Sequence, residues 1–164
     1  MIYIPLIGLP PSINEAYSDI PIHTPQGIKV KRKLSKVGEK YKNETTSAFS
    51  RKYPSEMMLI KPNECTGWGM VLDMPNLLNK GWPDKAKTRY KEKDASNRVK
   101  VLEDCLATAF GFDDSQFFLQ LVAKREGRDY THIWVWNIET EGWLPNGFIQ
   151  DLSRLQPHGT VPAV

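Results

Sequence analysis

The chain has 164 residues, 40 % of them hydrophobic, which is enough for one domain with a buried core. Its 22 Lys and Arg against 19 Asp and Glu leave a net charge of +3, so only local clusters can mark a phosphate-binding surface. Cys65 and Cys105 lie far apart and form no metal-spaced pair, and free thiols in a reducing cytosol suit them better than a disulfide framework.

The N-terminus, MIYIPLIGLPPS, has no basic leader and is broken by prolines, so it does not read as a signal peptide. No apolar run approaches the roughly 18 residues of a membrane span, and a cytoplasmic protein without membrane partners is expected. Ile2–Ile7 reads as a strand, stopped by Gly8 and Pro10-Pro11. Residues 12–26 carry Pro21 and Pro25 without a clear period and read as loop. Residues 34–52 suit a helix, with Ser35 as N-cap, Val37, Tyr41 and Ala48 towards a core, and Pro54 beyond its end. A second strand covers about 68–74 and is closed by Pro75. Residues 76–93, rich in Lys, Gly and Pro, read as an insertion within the domain. The clearest helix spans 96–110, with Val99, Leu102, Leu106 and Ala109 on one face and Gly111 as its terminator. Strands over 117–124 and 130–139 form a hairpin around Gly127 and Asp129. Residues 141–164 read as an irregular tail. The fold class is therefore α+β, a single domain over 1–140 with the order β-α-β-α-β-β and a mixed sheet carrying helices.

The chemistry concentrates in KDASNRVKVLEDCLATAFGFDDSQ, residues 93–116. Asp94 precedes the helix, Ser96 and Asn97 open it, Lys100 follows in the second turn, and Asp113-Asp114 lie beyond Gly111. Carboxylates gathered at one patch would hold Mg²⁺, which prefers oxygen ligands and keeps several waters. Such an ion activates water and neutralises charge on a phosphoryl group, while a nearby lysine stabilises the transition state. Each residue also has a plainer reading. Asp94 suits a helix cap, Asp113-Asp114 a turn pair, and Lys100 a solvated helix face.

The segment resembles the signature of RusA-type crossover junction endodeoxyribonucleases, Asp-x-Asp-Asn-x-x-Lys, then an Asp-Ala-Leu-like stretch, then Asp-Asp-x-Gln. Asp94, Asn97 and Lys100 match the first part, Asp104-Cys105-Leu106 the middle, and Asp113-Asp114-Ser115-Gln116 the end. Pro10-Pro11-Ser12-Ile13-Asn14 resembles the family's Pro-Pro-Ser-x-Asn. The stretch from Leu34-Ser35 through Gly38 to Tyr41 resembles its Leu-Ser-x-x-Gly-x-x-Tyr, and Asp73-Met74-Pro75 sits where the family's second strand ends. The resemblance implies a homodimeric nuclease that resolves four-way DNA junctions with Mg²⁺, or Mn²⁺ in its place, in a bacterial or phage-infected cell. It makes Asp94, Lys100 and Asp114 catalytic, with Asp94 and Asp114 as metal ligands and Asp113 as a further candidate. The departure is Ser96, which stands where the family has its second carboxylate. Glu103 shares a helix flank with Ser96 and Lys100 and is the candidate substitute. A catalytically impaired junction-binding protein is the alternative.

Two basic stretches are candidate DNA contacts. Lys31, Arg32 and Lys33 belong to a run leading into the first helix. Lys85, Lys87, Arg89, Lys91 and Lys93 alternate up to Asp94, and an extended backbone would place them on one side. Trp82 and Tyr90 could stack on unpaired bases or anchor that segment. In the last strand, Ile133 and Val135 point to one face and Trp134, Trp136 and Ile138 to the other. Both faces need cover, the second from the tail with Trp143 and Phe148 or from another subunit.

Overall fold

The computed structural model describes residues 1–91 and 93–154. Strand β1 (Ile2–Ile7) leads through Pro10-Pro11 into a short helix α1 (Ile13–Ala16). Ser12 and Glu15 form a reciprocal capping box at its start. Strands β2 (Tyr17–Thr24) and β3 (Gly27–Leu34) then pair antiparallel, joined by Pro25 and Gln26. This ribbon replaces the loop expected over 12–26. Its period-two apolar residues, Ile20 and Ile22 against Ile28 and Val30, bury no face, so hydrophobic patterning did not mark it.

Helix α2 (Lys36–Lys52) starts where its N-cap predicts: Ser35 Oγ accepts from Gly38 N at 3.1 Å. Thr45 and Phe49 are its buried anchors and Tyr41 packs against the same core, whereas Val37 is 56 % exposed and does not face it. Pro54 opens a separate turn of helix, α3 (Pro54–Met57). Strand β4 (Thr66–Met74) is buried along its whole length. A 3-10 turn over Ser96–Arg98 leads into helix α4 (Val99–Phe110), and Gly111 ends it in the left-handed conformation, φ 75°. Strands β5 (Phe117–Glu126) and β6 (Tyr130–Asn137) follow. Residues 141–154 are not irregular as expected. After α5 (Ile138–Glu141), helix α6 (Asn146–Arg154) places Phe148 and Leu152, four residues apart, against the sheet. The rest of the expected tail, 155–164, lies outside the described residues.

The sheet order is β1-β6-β4-β5, with β4 and β5 parallel and the other neighbours antiparallel, so β5 and β6 do not form the expected hairpin: β4 stands between them and pairs with both. The fold is thus α+β with a mixed sheet, and α4 is the crossover between its two parallel strands. One face holds the main core: Trp68, Met70 and Leu72 of β4 and Ile133 and Val135 of β6 meet Leu102 and Leu106 of α4 and Phe49 of α2. The other face is covered by the chain's own C-terminal segment. Trp134 and Trp136 pack on Phe148, with ring centroids 5.4 and 5.3 Å away. Gly67 and Gly69 make room for these rings: a Cβ would come within 2.5 Å of Trp136 at the first and 2.8 Å of Phe148 at the second. Phe148 is 3 % exposed, while Trp143 is 59 % exposed and takes no part in the cover. No helix among the described residues is long and apolar enough to cross a membrane.

Candidate active site

Helix α4 is amphipathic by its 3.6-residue period. Val99, Leu102, Cys105 and Leu106 are buried, which leaves Lys100, Glu103 and Asp104 on the outer flank. Lys100 and Asp104, four residues apart, pair at 3.0 Å, and Glu103 lies 3.7 Å from the same ammonium. After Gly111 reverses the chain, a 3-10 turn over Asp114–Gln116 brings Asp114 back alongside the helix, where its carboxylate accepts from Lys100 Nζ. One ammonium is therefore ringed by Glu103, Asp104 and Asp114. Burial pulls the Lys100 ammonium down, but the bonds to Asp114 and Asp104 outweigh it and hold its pKa well above the ordinary range.

Neighbouring elements hold the ring in place. Tyr17, the first residue of β2, donates from its hydroxyl to Asp104 Oδ2 at 2.6 Å. Burial and this bond to an anion push the phenol's pKa far up. Gln120 on β5 donates to Glu103 Oε1 at 3.1 Å. Burial raises the Glu103 carboxyl above its usual value. Lys100 works against that, and Asp114 and Asp104 add to it.

The structure brings Lys100, Glu103 and Asp114 together but gives Asp94, Ser96 and Asp113 other contacts. Asp94 Oδ1 accepts from Ser96 Oγ at 2.6 Å and Ser96 N at 2.9 Å, and the hydroxyl bond is the main reason its pKa is lowered. The plain cap reading thus describes its contacts, and the Ser96 hydroxyl is committed to Asp94. Asp113 accepts from Ser115 N at 3.0 Å and caps the turn that starts at Asp114. Asp104 and Tyr17 were not among the expected site residues. The four-residue spacing from Lys100 could have found Asp104. Tyr17 stands 87 positions from its partner in a segment read as loop, and gave no signal.

The two basic stretches fare differently. Lys31, Arg32 and Lys33 lie on β3 with their side chains exposed. Lys85, Lys87, Arg89, Lys91 and Lys93 do not form the expected extended row, because 80–85 are turns and 87–89 are bends. The segment is folded on itself instead: Leu78 bridges Tyr90, Asn79 N donates to Arg89 O at 2.8 Å, and Lys91 N to Leu77 O at 2.8 Å. Lys93 Nζ is spent on Pro75 O at 2.6 Å. Arg89 lies over the Tyr90 ring at 5.5 Å, and Trp82 and Tyr90 are each about half exposed.

The donors around Lys100 are all carboxylate oxygens on a partly exposed patch, which suits a hard divalent cation that keeps its waters and takes one or two carboxylates. Among the described residues no three His, Cys, Asp or Glu side chains are grouped so that they could hold a metal ion as they stand. No protein-family model matches the chain, and no curated protein matches it either.

Proposed function

We propose that this chain is a Mg²⁺-dependent, structure-specific endodeoxyribonuclease of the RusA type, acting as a homodimer to resolve four-way DNA junctions. The observation that carries the reading is the meeting of Lys100 with Asp114, which are 14 residues apart and lie on either side of the Gly111 reversal, beside Glu103 and Asp104. Asp114 would hold the ion with Glu103 offering the charge that Ser96 lacks, and Asp94, whose carboxylate here serves Ser96, is the further ligand that the resemblance implies. When bound, Mg²⁺ would activate water and neutralise charge on the scissile phosphate. Lys100 would meet a phosphate oxygen as a compact point charge, and Asp114, its partner here, would be the carboxylate beside it. Asp104, fixed by Tyr17, keeps the ammonium oriented. Two symmetric sites in a dimer suit two symmetric cuts.

A second reading is a DNA-binding protein that does not cleave. It is favoured by the Asp94 carboxylate being used to cap Ser96, where the resemblance asks for a second carboxylate. Cleavage of junction, fork and linear duplex, side by side with Mg²⁺ and with chelator, separates the two. Paired nicks in the junction that require Mg²⁺ are expected. Binding without nicks at any Mg²⁺ concentration would favour the second reading, and equal cutting of forks would move the substrate class.

A further inference from the structure

The β2–β3 ribbon takes no part in either face of the core. Every residue of β2 and β3 is exposed except Tyr17, Thr24 and Leu34. A two-stranded ribbon alone is marginal in water, so its base must hold it. There Ser35 N donates to Ala16 O at 2.8 Å and Ser35 Oγ to Glu15 O at 2.6 Å, while the Tyr17 hydroxyl reaches Asp104.

Residues opposite one another in an antiparallel pair share a face. The register Ser18–Lys33, Ile20–Lys31 and Ile22–Lys29 therefore lines three lysines along one edge of one face. The lysine stems lie beside the isoleucines, which are 41 and 39 % exposed against 66 and 69 % for Ile28 and Val30 on the other face. Successive lysines stand about 6.8 Å apart along the strand. Neighbouring phosphates of one DNA strand rise about 3.4 Å along the duplex axis and also wind around it, so their through-space separation is comparable to the lysine spacing. The row gives this face a line of positive charge, which complements a phosphate backbone.

We infer that the ribbon is a clasp for duplex nucleic acid, with Lys29, Lys31 and Lys33 on the backbone, and that it is linked to the site through Tyr17, Asp104 and Lys100. The inference rests on the nuclease reading for the role of the site, but not for the clasp itself. A duplex that turns the ribbon about its clamped base turns Tyr17, and with it the carboxylate that orients Lys100. Tyr17 is a positioning residue in this scheme.

The test uses the full chain and a fluorescein-labelled four-way junction, titrated by anisotropy in EDTA over a salt series, with a linear duplex in parallel. Replacing Lys29, Lys31 and Lys33 together with Ala should weaken both and flatten the log–log salt slope by up to about 2.7, at about 0.9 per phosphate contact. An unchanged slope overturns the clasp. Because no cleavage is measured, that failure is distinct from failure of the nuclease reading. The linkage is read from Lys100 by carbon-13 methyl labelling of lysines, with the resonance assigned through Lys100→Arg. Duplex should shift that resonance in the parent and not in Tyr17→Phe. Equal shifts in both overturn the linkage. If Ile20→Ser with Ile22→Ser converts a dimer to a monomer, the face belongs to a second copy and the clasp is again overturned.

Discussion

Replacing Asp73 with Asn tests how the sheet supports the segment that leads to the site. Asp73 is buried at the end of β4, just before Pro75, whose carbonyl anchors Lys93 beside Asp94. Its carboxylate takes a two-pronged bond from Arg125 and lies 3.2 Å from His132 Nε2, while His132 Nδ1 meets the Tyr3 hydroxyl at 2.7 Å. Side-chain exposures of 7 % for Asp73, 15 % for Arg125 and 11 % for His132 put the network largely out of water. Removing one partner of a buried pair costs roughly 3–5 kcal/mol, and the residual exposure of Arg125 favours the low end, about 3 kcal/mol. For a chain of this size that is a fall in Tm of roughly 6–12 °C. The loss should depend on pH. Burial pushes the Asp73 carboxyl up, but Arg125 and His132 more than reverse this and hold its pKa below the ordinary value. A depressed carboxylate stabilises fully above its unfolded pKa, near pH 4, and loses that contribution as pH falls through the folded value. Parent and variant should therefore converge below about pH 4. The measurement is urea and thermal unfolding of both proteins from pH 7 to pH 2. A difference under about 0.5 kcal/mol at pH 7, or one that persists unchanged to pH 2, would refute the argument. The exposed Arg32–Asp19 pair, 3.4 Å apart, is the control, and Asp19→Asn should change little.

Lys100→Ala should lower the single-turnover rate of junction cleavage at saturation by about a hundredfold or more, as befits a transition-state contact of roughly 3–4 kcal/mol. Weaker binding with an unchanged saturated rate would count against that role. Asp114→Asn should abolish cleavage while junction binding in chelator stays equal or tightens, and full cleavage would remove Asp114 from the site. Glu103→Gln should raise stability at pH 7, because burial and the Asp114 and Asp104 charges disfavour the ionised form. A raised carboxylate penalises folding above its folded pKa and ceases to do so below its unfolded one, so the gain should fade as pH falls towards about 4. A gain constant across that range would contradict the assignment. Phe148→Ala should cost about 3–5 kcal/mol by uncovering Trp134 and Trp136, and a red shift in tryptophan emission should accompany it. Unfolding within about 1 kcal/mol of the parent would show that α6 is dispensable cover.

Local rules carried far in this chain. The periodicity of α4, the Ser35 cap, the Gly111 stop and the strands on either side are visible in sequence because each depends on residues within one or two turns of it. The apolar pattern of β6 on both faces likewise required cover on both. Patterning failed where an element buries no face of its own, as in the β2–β3 ribbon, and where a helix is short, as in α6. It failed for Lys85 to Lys93 because alternation implies one side only if the backbone is extended, and long-range pairings such as Leu78 with Tyr90 fold it instead.

By itself, the sequence determined which residue types stand at the site and that α4 turns an acidic and basic flank outward. Only the tertiary structure decided which of them meet. Asp94 bonds to Ser96 at the exposed start of the helix, while Asp114 crosses to Lys100, and no spacing rule distinguishes two aspartates that flank one helix. The choice depends on how the chain reverses after Gly111 and on a tyrosine delivered from a ribbon 87 residues away. The cover of the tryptophan face was likewise open between tail and partner until Phe148 was placed. Such contacts close over long stretches of chain, and their partners are selected by packing of the whole core, which local patterning does not encode.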